Sequence, residues 1–588
     1  MLDRILSITA ILQIAAQWFH ATDICRVELV DRLGRHTRRC HFRRGDRPFF
    51  SARGMARRLL FLSASPPSAR SHFVFRPGIY QHSFWSYRSR FGDGSGNRGG
   101  LDDCERNHHA NLLFSRRLAH SVSNSFPFAG DQRHRGNRDV ADELEGAMKI
   151  GFIAMSGLRL CDVELLNLGL TFPGVSRRKN AIEALPSLGL LTLAGMTPPH
   201  IAVEYLEVRD VNLGELPRDF DAVAISTLTA TAGEAYRLAA RFKSIGTKVI
   251  LGGLHVSALP EESRRHADAI VIGEGESTWP RIVRDLEMGK LDTLYDGRLK
   301  PFDLAHSPVP RFELLAPDRY PRLTVQTQRG CPWRCEFCAA SIRISPQFKV
   351  KPVDRVIAEI RRLKELWRDP FVEFADDNTF VNRAHSEQMM RALARENIRW
   401  FTETDLSIAQ DPELLRLIRE AGCAQVLIGF ESPSRRVLHG VEQRSDWKAR
   451  QWENYRAAVE RIQRTGITVN GCFVIGLDGA GNEQFDEAFD FVRESGLYDV
   501  QITFLTPFPG TPLYERFRRS GRLLNERAWN RCTLFDINFQ PAAMSVAELR
   551  SGFENLGRRL YHPDFVRERS RRFLQNFRAA RAEERRAA

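Results

Sequence analysis

Three cysteines carry the clearest chemistry in the sequence. Cys331, Cys335 and Cys338 follow a C-x3-C-x2-C pattern within RGCPWRCEFCAAS, so one short loop can converge three thiolates on a cubane iron–sulfur cluster. Four cysteines complete the protein ligation of such a cluster. Three leave one iron open to a small ligand, like the open position of a catalytic metal site. The pattern predicts a [4Fe–4S] site; the alternatives are a zinc site, which needs a fourth ligand, and three unrelated buried cysteines.

The elements around this loop predict a partial barrel. Six apolar, strand-like runs alternate with helical patterns, and the cysteines follow the first of them directly. The runs are Leu323–Thr327, Phe371–Ala375, Arg399–Glu403, Gln425–Phe430, Thr468–Ile475 and Val500–Thr506. Six strand–helix units form a (β/α)6 barrel rather than the closed eight, and in such barrels the loops after the strands carry the chemistry. The cysteine loop therefore lies where a catalytic site is expected.

The cysteine loop resembles the signature of the radical S-adenosylmethionine (SAM) superfamily, C-x3-C-x-aromatic-C, with Phe337 as the aromatic residue. The resemblance covers roughly Leu323–Arg522. It implies that the open iron binds the amino and carboxylate groups of SAM. It also implies that one electron from the reduced cluster cleaves SAM to methionine and a 5′-deoxyadenosyl radical, which abstracts a hydrogen atom from the substrate.

Polar segments at successive strand ends match places where this family contacts SAM. EFADDNTF follows the second strand, with Asp-Asp-Asn in place of the commoner Gly-Gly-Glu, and TETD, GFESPS and GCFVIGLDG follow the next three. The residues that the resemblance assigns to SAM are Phe337, Asp376, Asp377, Asn378, Thr402, Glu403, Glu431, Ser432 and Gly476. Three have structural alternatives: Asp376 as a helix cap, Glu431 as an ion-pair member and Gly476 as a turn residue. Cys423 and Cys472 are expected to be core residues.

The preceding stretch resembles the cobalamin-binding domain found in front of many radical SAM enzymes. LGGLHVSALPEE and DAIVIGEGEST carry glycines after predicted parallel strands, where open α/β sheets bind ligands. Small residues let the backbone approach a flat corrin and its nucleotide tail. The residues assigned to cobalamin are Ser226, Thr227, Gly252, Gly253, His255, Gly273, Glu274 and Gly275. A sheet that has lost its ligand is the alternative.

One departure from the cobalamin pattern concerns the lower axial ligand. Domains that supply an axial histidine carry Asp-x-His-x-x-Gly, whereas this sequence reads Arg209-Asp210-Val211-Asn212-Leu213-Gly214. His255 lies on another loop and is expected to pack or to form hydrogen bonds rather than to bind cobalt. The sequence thus predicts cobalamin without a histidine ligand.

The whole layout resembles the cobalamin-dependent radical SAM methylases of class B, a group that includes hopanoid C-2 methylases. The resemblance implies methyl transfer to an unactivated carbon of a small-molecule or lipid substrate, with an electron donor such as flavodoxin or ferredoxin. A non-methylating radical reaction, such as an oxidative cyclisation, is the alternative. A methylthiotransferase needs a second cysteine trio, but only Cys161 lies between Met148 and Cys331. A cobalamin-responsive binding protein has no use for an open iron.

The first 147 residues differ from the rest. They contain 23 Arg, no Lys and 14 Asp plus Glu, which accounts for +9 of the chain's net charge of +14. Their aromatic and Ser/Arg/Gly clusters, SHFVFRPGIYQHSFWSYRSRFGDGSGNRGG, show neither a helical nor a strand period. They could be a disordered arm that binds nucleic acid or a small folded domain. We expect instead a non-native extension upstream of the true start at Met148, and no nucleic-acid partner.

A cytoplasmic location fits the cysteines best. The ten cysteines show no disulfide framework, and an oxidising compartment would attack a thiolate cluster site. The apolar run Ile5–Phe19 is too short to span a bilayer, and no longer run is present.

The predicted fold class is α/β. We expect five segments: a basic extension (1–147), a doubly wound parallel-sheet cobalamin domain (148–294), a linker (295–322), a radical SAM partial barrel (323–511) and a helical C-terminal region (512–588).

Overall fold

A computed structural model describes most of the chain after residue 147. The described residues are 26–30, 36–41, 72–73, 148–156, 160–162, 165, 185–209, 211, 217–316, 319–320, 322–339, 344–345 and 347–587. The chain divides into two units, Met1–Gly130 and Asp131–Ala588. In the first, β1 (Arg26–Val30) pairs antiparallel with β2 (His36–His41) and β3 (His72–Phe73). The remainder of the basic extension predicted at 1–147 lies outside the described residues.

The second unit begins with a six-stranded, fully parallel sheet in the order β5-β4-β6-β7-β8-β9. Its strands are β4 (Lys149–Met155), β5 (Ala202–Val208), β6 (Ala222–Ser226), β7 (Lys248–Gly252), β8 (Ala269–Ile272) and β9 (Leu294–Asp296). Its helices are α1 (Leu188–Met196), α2 (Ala232–Ser244), α3 (Leu254–Ala258), α4 (Pro260–Ser263) and α5 (Trp279–Glu287). The runs AVAIS and AIVI form strands covered on both faces, which explains their continuous apolar character.

This sheet confirms the predicted doubly wound class. The strand order reverses between β4 and β6, and open α/β sheets bind ligands outside the carboxyl ends at such a point. The edge strand β9 was not predicted, and it overlaps the start of the expected linker.

A second parallel sheet forms the partial barrel, in the order β10-β13-β14-β15-β16-β17. Its strands are β10 (Leu323–Val325), β13 (Phe371–Phe374), β14 (Arg399–Thr404), β15 (Cys423–Glu431), β16 (Thr468–Ile475) and β17 (Asp499–Phe504). A short ribbon of β11 (Gln328–Arg329) and β12 (Lys349–Val350) brackets the cysteine loop. All six predicted strands are present, and the barrel is not closed.

Helices cover the outside of the barrel. They are α6 (Val353–Leu366), α7 (Arg383–Leu393), α8 (Pro412–Glu420), α9 (Arg435–Leu438), α10 (Trp447–Gln451), α11 (Tyr455–Arg464) and α12 (Gln484–Ser495). α8 starts where Asp411 caps the Leu414 N–H and Pro412 fills the first turn. Buried apolar residues of the strands, such as Val372, Trp400 and Val426, pack toward these helices. The opposite strand faces therefore form the barrel lumen.

The C-terminal region is helical, as predicted. It consists of α13 (Pro512–Arg519), α14 (Val546–Leu560) and α15 (Pro563–Ala587). Ser545 and Glu548 form a capping box that starts α14. Within the described part of the chain, none of the helices combines the length and apolarity needed to cross a bilayer.

Candidate active site

The cysteine loop leaves the first barrel strand and is tied down on both sides. The backbone N–H of Glu336 donates to the Val441 carbonyl at 2.9 Å. The backbones of Cys335 and Glu442 pair in an isolated antiparallel β-bridge. The buried Glu442 carboxylate accepts the Arg334 N–H at 3.1 Å. These contacts fix the loop against the segment that follows β15.

The three thiols influence one another electrostatically. Burial raises the pKa of Cys331 to about 11 and that of Cys335 to about 12. Cys338 raises the pKa of Cys331 and of Cys335 further, and Cys331 adds to the effect on Cys335. Among the described residues, no three side chains are placed to hold a single metal ion. Cys335 is buried, whereas Cys331 and Cys338 are half-buried. A cubane distributes its ligands over separate irons, so three thiols on one loop can hold one without converging on a single ion.

Asp376 supports the loop from the end of β13. Its carboxylate accepts the N–H groups of Thr327 and Gln328, at 2.8 and 3.1 Å, and also the hydroxyls of Thr327 and Thr379. Burial raises its pKa to about 6 although these hydrogen bonds oppose the shift. With its oxygens engaged by protein donors, Asp376 positions the backbone that leads into the cysteines.

Asp377 and Asn378 have different surroundings. Asp377 accepts the Gly330 N–H at 2.9 Å. It also lines a cavity that faces the first parallel sheet, β4 to β9, which we call the cobalamin-type sheet after the resemblance found in its sequence. Asn378 donates to Asp405 at 2.8 Å, and the Trp333 indole donates to the same Asp405 oxygen at 2.8 Å. Asn378 thus acts on the cysteine loop through Asp405, whereas Asp377 is open to a ligand.

Thr402 and Glu403 point to opposite sides of β14. Thr402 is fully buried, and its hydroxyl bonds that of Thr379 on the helix-facing side. Glu403 is in register with Leu427 and lies on the lumen face. The Glu403 side chain is exposed in the open lumen. Protein groups around the lumen still exclude part of the solvent from its carboxylate, and this desolvation, together with nearby carboxylates including Glu373, raises the pKa of Glu403 to about 7.

The end of β15 contains a buried ion pair. Glu431 adopts a left-handed backbone conformation with φ of +62°, which is uncommon for a residue other than glycine. Its carboxylate lies 2.6 Å from the Lys448 ammonium, which also donates to the Gly429 carbonyl at 2.7 Å. The ion-pair alternative for Glu431 is therefore what the structure shows. Ser432, the next residue, is buried, and Phe337 packs half-buried against the hydrophobic core.

Gly476 ends β16 in a turn. Its φ is +95°, and its N–H donates to Gln484 at 2.9 Å. A Cβ here would stand 2.9 Å from the Phe539 ring. Cys423 is fully buried, as expected, whereas Cys472 is in register with Gln501 and lies on the lumen face. The expectation of a core position thus holds for Cys423 and not for Cys472.

A cavity of about 330 Å³ lies between the two sheets. Apolar residues of the first sheet line it together with barrel residues Gln326, Ala375 and Asp377. The cobalamin residues predicted from sequence that line it are Ser226, Gly252, Gly253, Gly273, Glu274 and Gly275. Pockets for drug-sized ligands measure roughly 300–1,000 Å³. This cavity lies at the lower end of that range, so it can hold part of a large cofactor while the rest extends beyond it.

The glycines of this edge serve two purposes. Gly253 has φ of +102°, and a Cβ would stand 2.6 Å from the Thr227 carbonyl oxygen, so the turn itself requires glycine. At Gly252 a Cβ would meet nothing closer than Val271 at 3.7 Å. The missing side chain at Gly252 therefore widens the cavity rather than relieving strain. This open apolar cradle fits a bulky planar cofactor.

Two predicted cobalamin residues are turned away from this cavity. Thr227 donates to the Leu228 carbonyl at 2.9 Å. His255 is fully buried, with Nε2 3.3 Å from Glu262 and its ring 5.5 Å from that of Trp529. Burial lowers the pKa of His255, which keeps the imidazole neutral. His255 has the packing and hydrogen-bonding role that we expected. Part of the Arg209–Gly214 segment lies outside the described residues.

Glu274 joins the two sheets as well as lining the cavity. Its oxygens lie 3.0 Å from Arg329 and 2.6 Å from Lys349, both on the barrel side. Arg329 also contacts Glu276 at 2.6 Å. Because Arg329 is two residues before Cys331, this ion-pair network connects the cobalamin-type loop to the start of the cysteine loop.

Sequence reasoning missed three charged groups of the site: Arg329, Lys448 and Glu442. Arg329 borders the cysteine motif, and its charge could have marked it. Lys448 and Glu442 lie in VEQRSDWK, a polar stretch with no periodic or motif signal. Only the folded chain brings them to the cysteine loop.

Three known families match successive parts of the chain, in the order of the domains described above. The radical SAM superfamily profile matches residues 325–492, and the B12 binding domain profile matches residues 185–283. A domain of unknown function, DUF4070, matches residues 511–588.

Several similar proteins are methyltransferases, and another is the anaerobic magnesium-protoporphyrin IX monomethyl ester cyclase of Cereibacter sphaeroides, 24% identical over 410 residues and covering 63% of this chain and 65% of that one. The chain is 28% identical over 391 residues to bacteriochlorophyllide d C-12(1)-methyltransferase of Chlorobaculum tepidum, covering 65% of this chain and 84% of that one. It is 27% identical over 358 residues to hopanoid C-2 methylase of Rhodopseudomonas palustris, covering 58% and 66%. Among solved structures, the radical S-adenosylmethionine methyltransferase TsrM of Kitasatospora setae matches with a TM-score of 0.47 at 14% identity, covering 64% of this chain and 75% of that one.

Proposed function

We propose that this chain, which belongs to the radical SAM superfamily and carries a B12-binding domain, transfers a methyl group to an unactivated carbon of a small molecule or a lipid. It is an enzyme whose cofactors are a [4Fe–4S] cluster, SAM and cobalamin. When bound, the cluster and SAM supply radical chemistry and cobalamin supplies the methyl group. The protein's own contribution is to bind, orient and keep water away.

One observation supports methyl transfer above all. The cavity at the ligand edge of the cobalamin-type sheet opens toward the barrel strand ends, so residues such as Gly252 and Asp377 line one space. A carrier bound there would face the mouth of the barrel. Methyl delivery needs that proximity, because reacting groups must be held in near-attack geometry.

We assign the site residues accordingly. Cys331, Cys335 and Cys338 hold the cluster, and Asp377, Glu403, Ser432 and Gly476 contact SAM. Cobalamin lies on Ser226, Gly252, Gly253, Gly273 and Gly275. Asp376, Asn378, Thr402, Glu274 and Glu431 position the loops that these cofactors need. The domain boundaries we propose are 148–294, 295–322, 323–511 and 512–588.

The lumen offers polar contacts to a substrate. Asn470, Cys472 and Gln501 lie on the same face of the sheet as Glu403, as the parallel register requires. Arg322 pairs with Glu373 at 2.8 Å on the first two strands. We propose that these side chains orient the carbon to be methylated. An electron donor such as flavodoxin or ferredoxin reduces the cluster, and a cytoplasmic location keeps the thiolates reduced.

Anaerobic reconstitution tests the proposal. The protein is loaded with iron, sulfide and cobalamin, reduced, and incubated with SAM and host extract. Mass spectrometry should find a product heavier by one methylene than its precursor, absent when cobalamin is omitted. Release of 5′-deoxyadenosine with an oxidised or cyclised product and no methylated one would favour the non-methylating alternative instead.

A further inference from the structure

The C-terminal region makes contacts that reach both cofactor sites. We call residues 512–560, from α13 to the end of α14, the C-terminal clasp. This segment lies within the match to a domain of unknown function. We infer that the clasp is a positioning element that holds the cysteine loop and the cobalamin-binding loops. The inference rests on the proposed locations of the two cofactors.

The first contact reaches the cysteine loop. Arg516 of α13 makes a two-point pair with Glu336, with Nη2–Oε1 of 2.7 Å and Nε–Oε2 of 3.1 Å. The backbone N–H of Leu513 donates to the Glu336 carbonyl at 3.1 Å. Glu336 lies directly between Cys335 and Phe337, so its side chain and its backbone are both held by the clasp. Paired arginine–carboxylate contacts fix direction as well as distance.

The second contact reaches the segment after β4, the strand next to the edge strand β5 in the cobalamin-type sheet. The buried Asp536 carboxylate accepts the N–H groups of Cys161 and Asp162 at 3.0 and 2.8 Å. Arg550 of α14 makes a two-point pair with the Asp162 carboxylate at 2.6 and 3.0 Å. This loop leaves the sheet at the point where strand order reverses, which is the ligand edge.

The third contact reaches the segment after β7. The Trp529 indole N–H donates to Glu262 at 3.0 Å, and Glu262 also accepts from the Tyr236 hydroxyl at 3.1 Å. The Trp529 ring meets the edge of the buried His255. α3 and α4, which carry His255 and Glu262, follow Gly252 and Gly253 directly. The clasp therefore supports the glycine turn that we assign to cobalamin.

These contacts join elements far apart in sequence: Glu336 and Arg516 are 180 residues apart, and Asp162 and Arg550 are 388 apart. The Glu274–Arg329 pair connects the same two domains through the cysteine-loop strand. The contacts of the clasp with Asp162 and Glu262 hold the cobalamin-type domain at a second place, away from the Glu274–Arg329 pair.

Two matched pairs of variants test the inference in the full chain. Arg550→Gln removes a clasp contact, and Arg559→Gln on the same helix removes an exposed pair with Asp486 and a cation–π contact with Phe489. Arg516→Gln removes the cysteine-loop contact and a contact with Asp478, and Arg518→Gln on the same helix removes an exposed pair with Glu515. The measurements are hydroxocobalamin release, followed by its visible spectrum, and iron release to a chelator, both without turnover.

Arg550→Gln should speed hydroxocobalamin release about fivefold or more, the scale of one charge-assisted contact, while iron release stays unchanged. Arg516→Gln should speed iron release by a similar factor. In the cofactor-free chain, amide exchange at Cys161 and Asp162 should rise in Arg550→Gln and not in Arg559→Gln. Equal behaviour within both matched pairs would overturn the inference. A chain that passes these tests yet makes no methylated product would instead contradict the proposed function.

Discussion

The Arg329 guanidinium lies 2.6 Å from the Glu276 carboxylate, across the boundary between the cobalamin-type sheet and the barrel. Burial disfavours the charged form of Glu276 and would raise the pKa of its carboxyl. The adjacent Arg329 guanidinium outweighs this effect and holds the pKa of Glu276 below its ordinary value. Glu274 shares the same guanidinium and a second cation, Lys349. The two carboxylates and two cations form a buried network whose members depend on one another.

Arg329→Gln should therefore destabilise the fold strongly. Removing one partner of a buried network leaves the carboxylates of Glu274 and Glu276 short of a cation, at a cost of about 3 kcal/mol or more. Arg416→Gln, which removes an exposed cation of α8, should change stability far less, because solvent screens surface ion pairs. Chemical denaturation of both variants measures the difference. An Arg329→Gln protein as stable as Arg416→Gln would show that the network contributes little.

Two neighbouring glycines should respond differently to substitution. Gly252→Val adds a side chain to the cavity without backbone strain, so the free energy of unfolding should stay within about 1 kcal/mol while hydroxocobalamin affinity falls tenfold or more. Gly253→Ala should destabilise the fold itself, because its φ of +102° and the Thr227 carbonyl oppose a Cβ. Equilibrium dialysis and thermal melting separate the two effects. Unchanged cobalamin affinity in Gly252→Val would place the cofactor elsewhere.

His255 should not bind cobalt. Its ring is fully buried, held by Glu262 and Trp529, and absent from the cavity lining. Electron paramagnetic resonance of the cob(II)alamin-loaded protein should show no nitrogen splitting from a protein imidazole. His255→Gln should leave that spectrum unchanged. Imidazole splitting that disappears in His255→Gln would assign the histidine as the axial ligand.

Glu403 should make stability depend on pH in an unusual direction. Its pKa in the fold, about 7, is higher than the ordinary value of about 4.3, so the folded state holds the proton more tightly. This contribution is complete below about pH 4.3 and is lost as pH rises to about 7. Glu403→Gln should therefore melt higher than the unaltered protein at pH 8, and this difference should largely disappear at pH 4, where the carboxyl is protonated in both states. Glu413→Gln, whose carboxylate pairs with Arg416 on the surface, should not show this pattern.

Sequence alone predicted the six barrel strands, five of the six strands of the first sheet and the position of the cysteine loop, because strand and helix periods and a short ligand motif are local signals. The edge strand β9 and the short strands β11 and β12 carry no such signal. The residues that support the cysteine loop could not be predicted from the sequence. Glu442 and Lys448 act from more than 100 residues away from the cysteines, and their neighbours carry no periodic pattern. Thr402 and Glu403 are a second example of what the sequence does not predict. The TETD motif locates both residues at a strand end, but only the strand register shows which of them faces the lumen.

The most direct test of the central claim is the fate of two SAM molecules. Methylation that uses SAM both as methyl donor and as radical source should yield S-adenosylhomocysteine and 5′-deoxyadenosine in equal amounts, with a deuterated SAM methyl group recovered in the product. Cys335→Ala should lose bound iron and 5′-deoxyadenosine formation, whereas Cys423→Ala, altered at a buried strand position, should retain both. If Cys335→Ala kept its iron and its full 5′-deoxyadenosine output, or if the label never entered a product, the account would be contradicted.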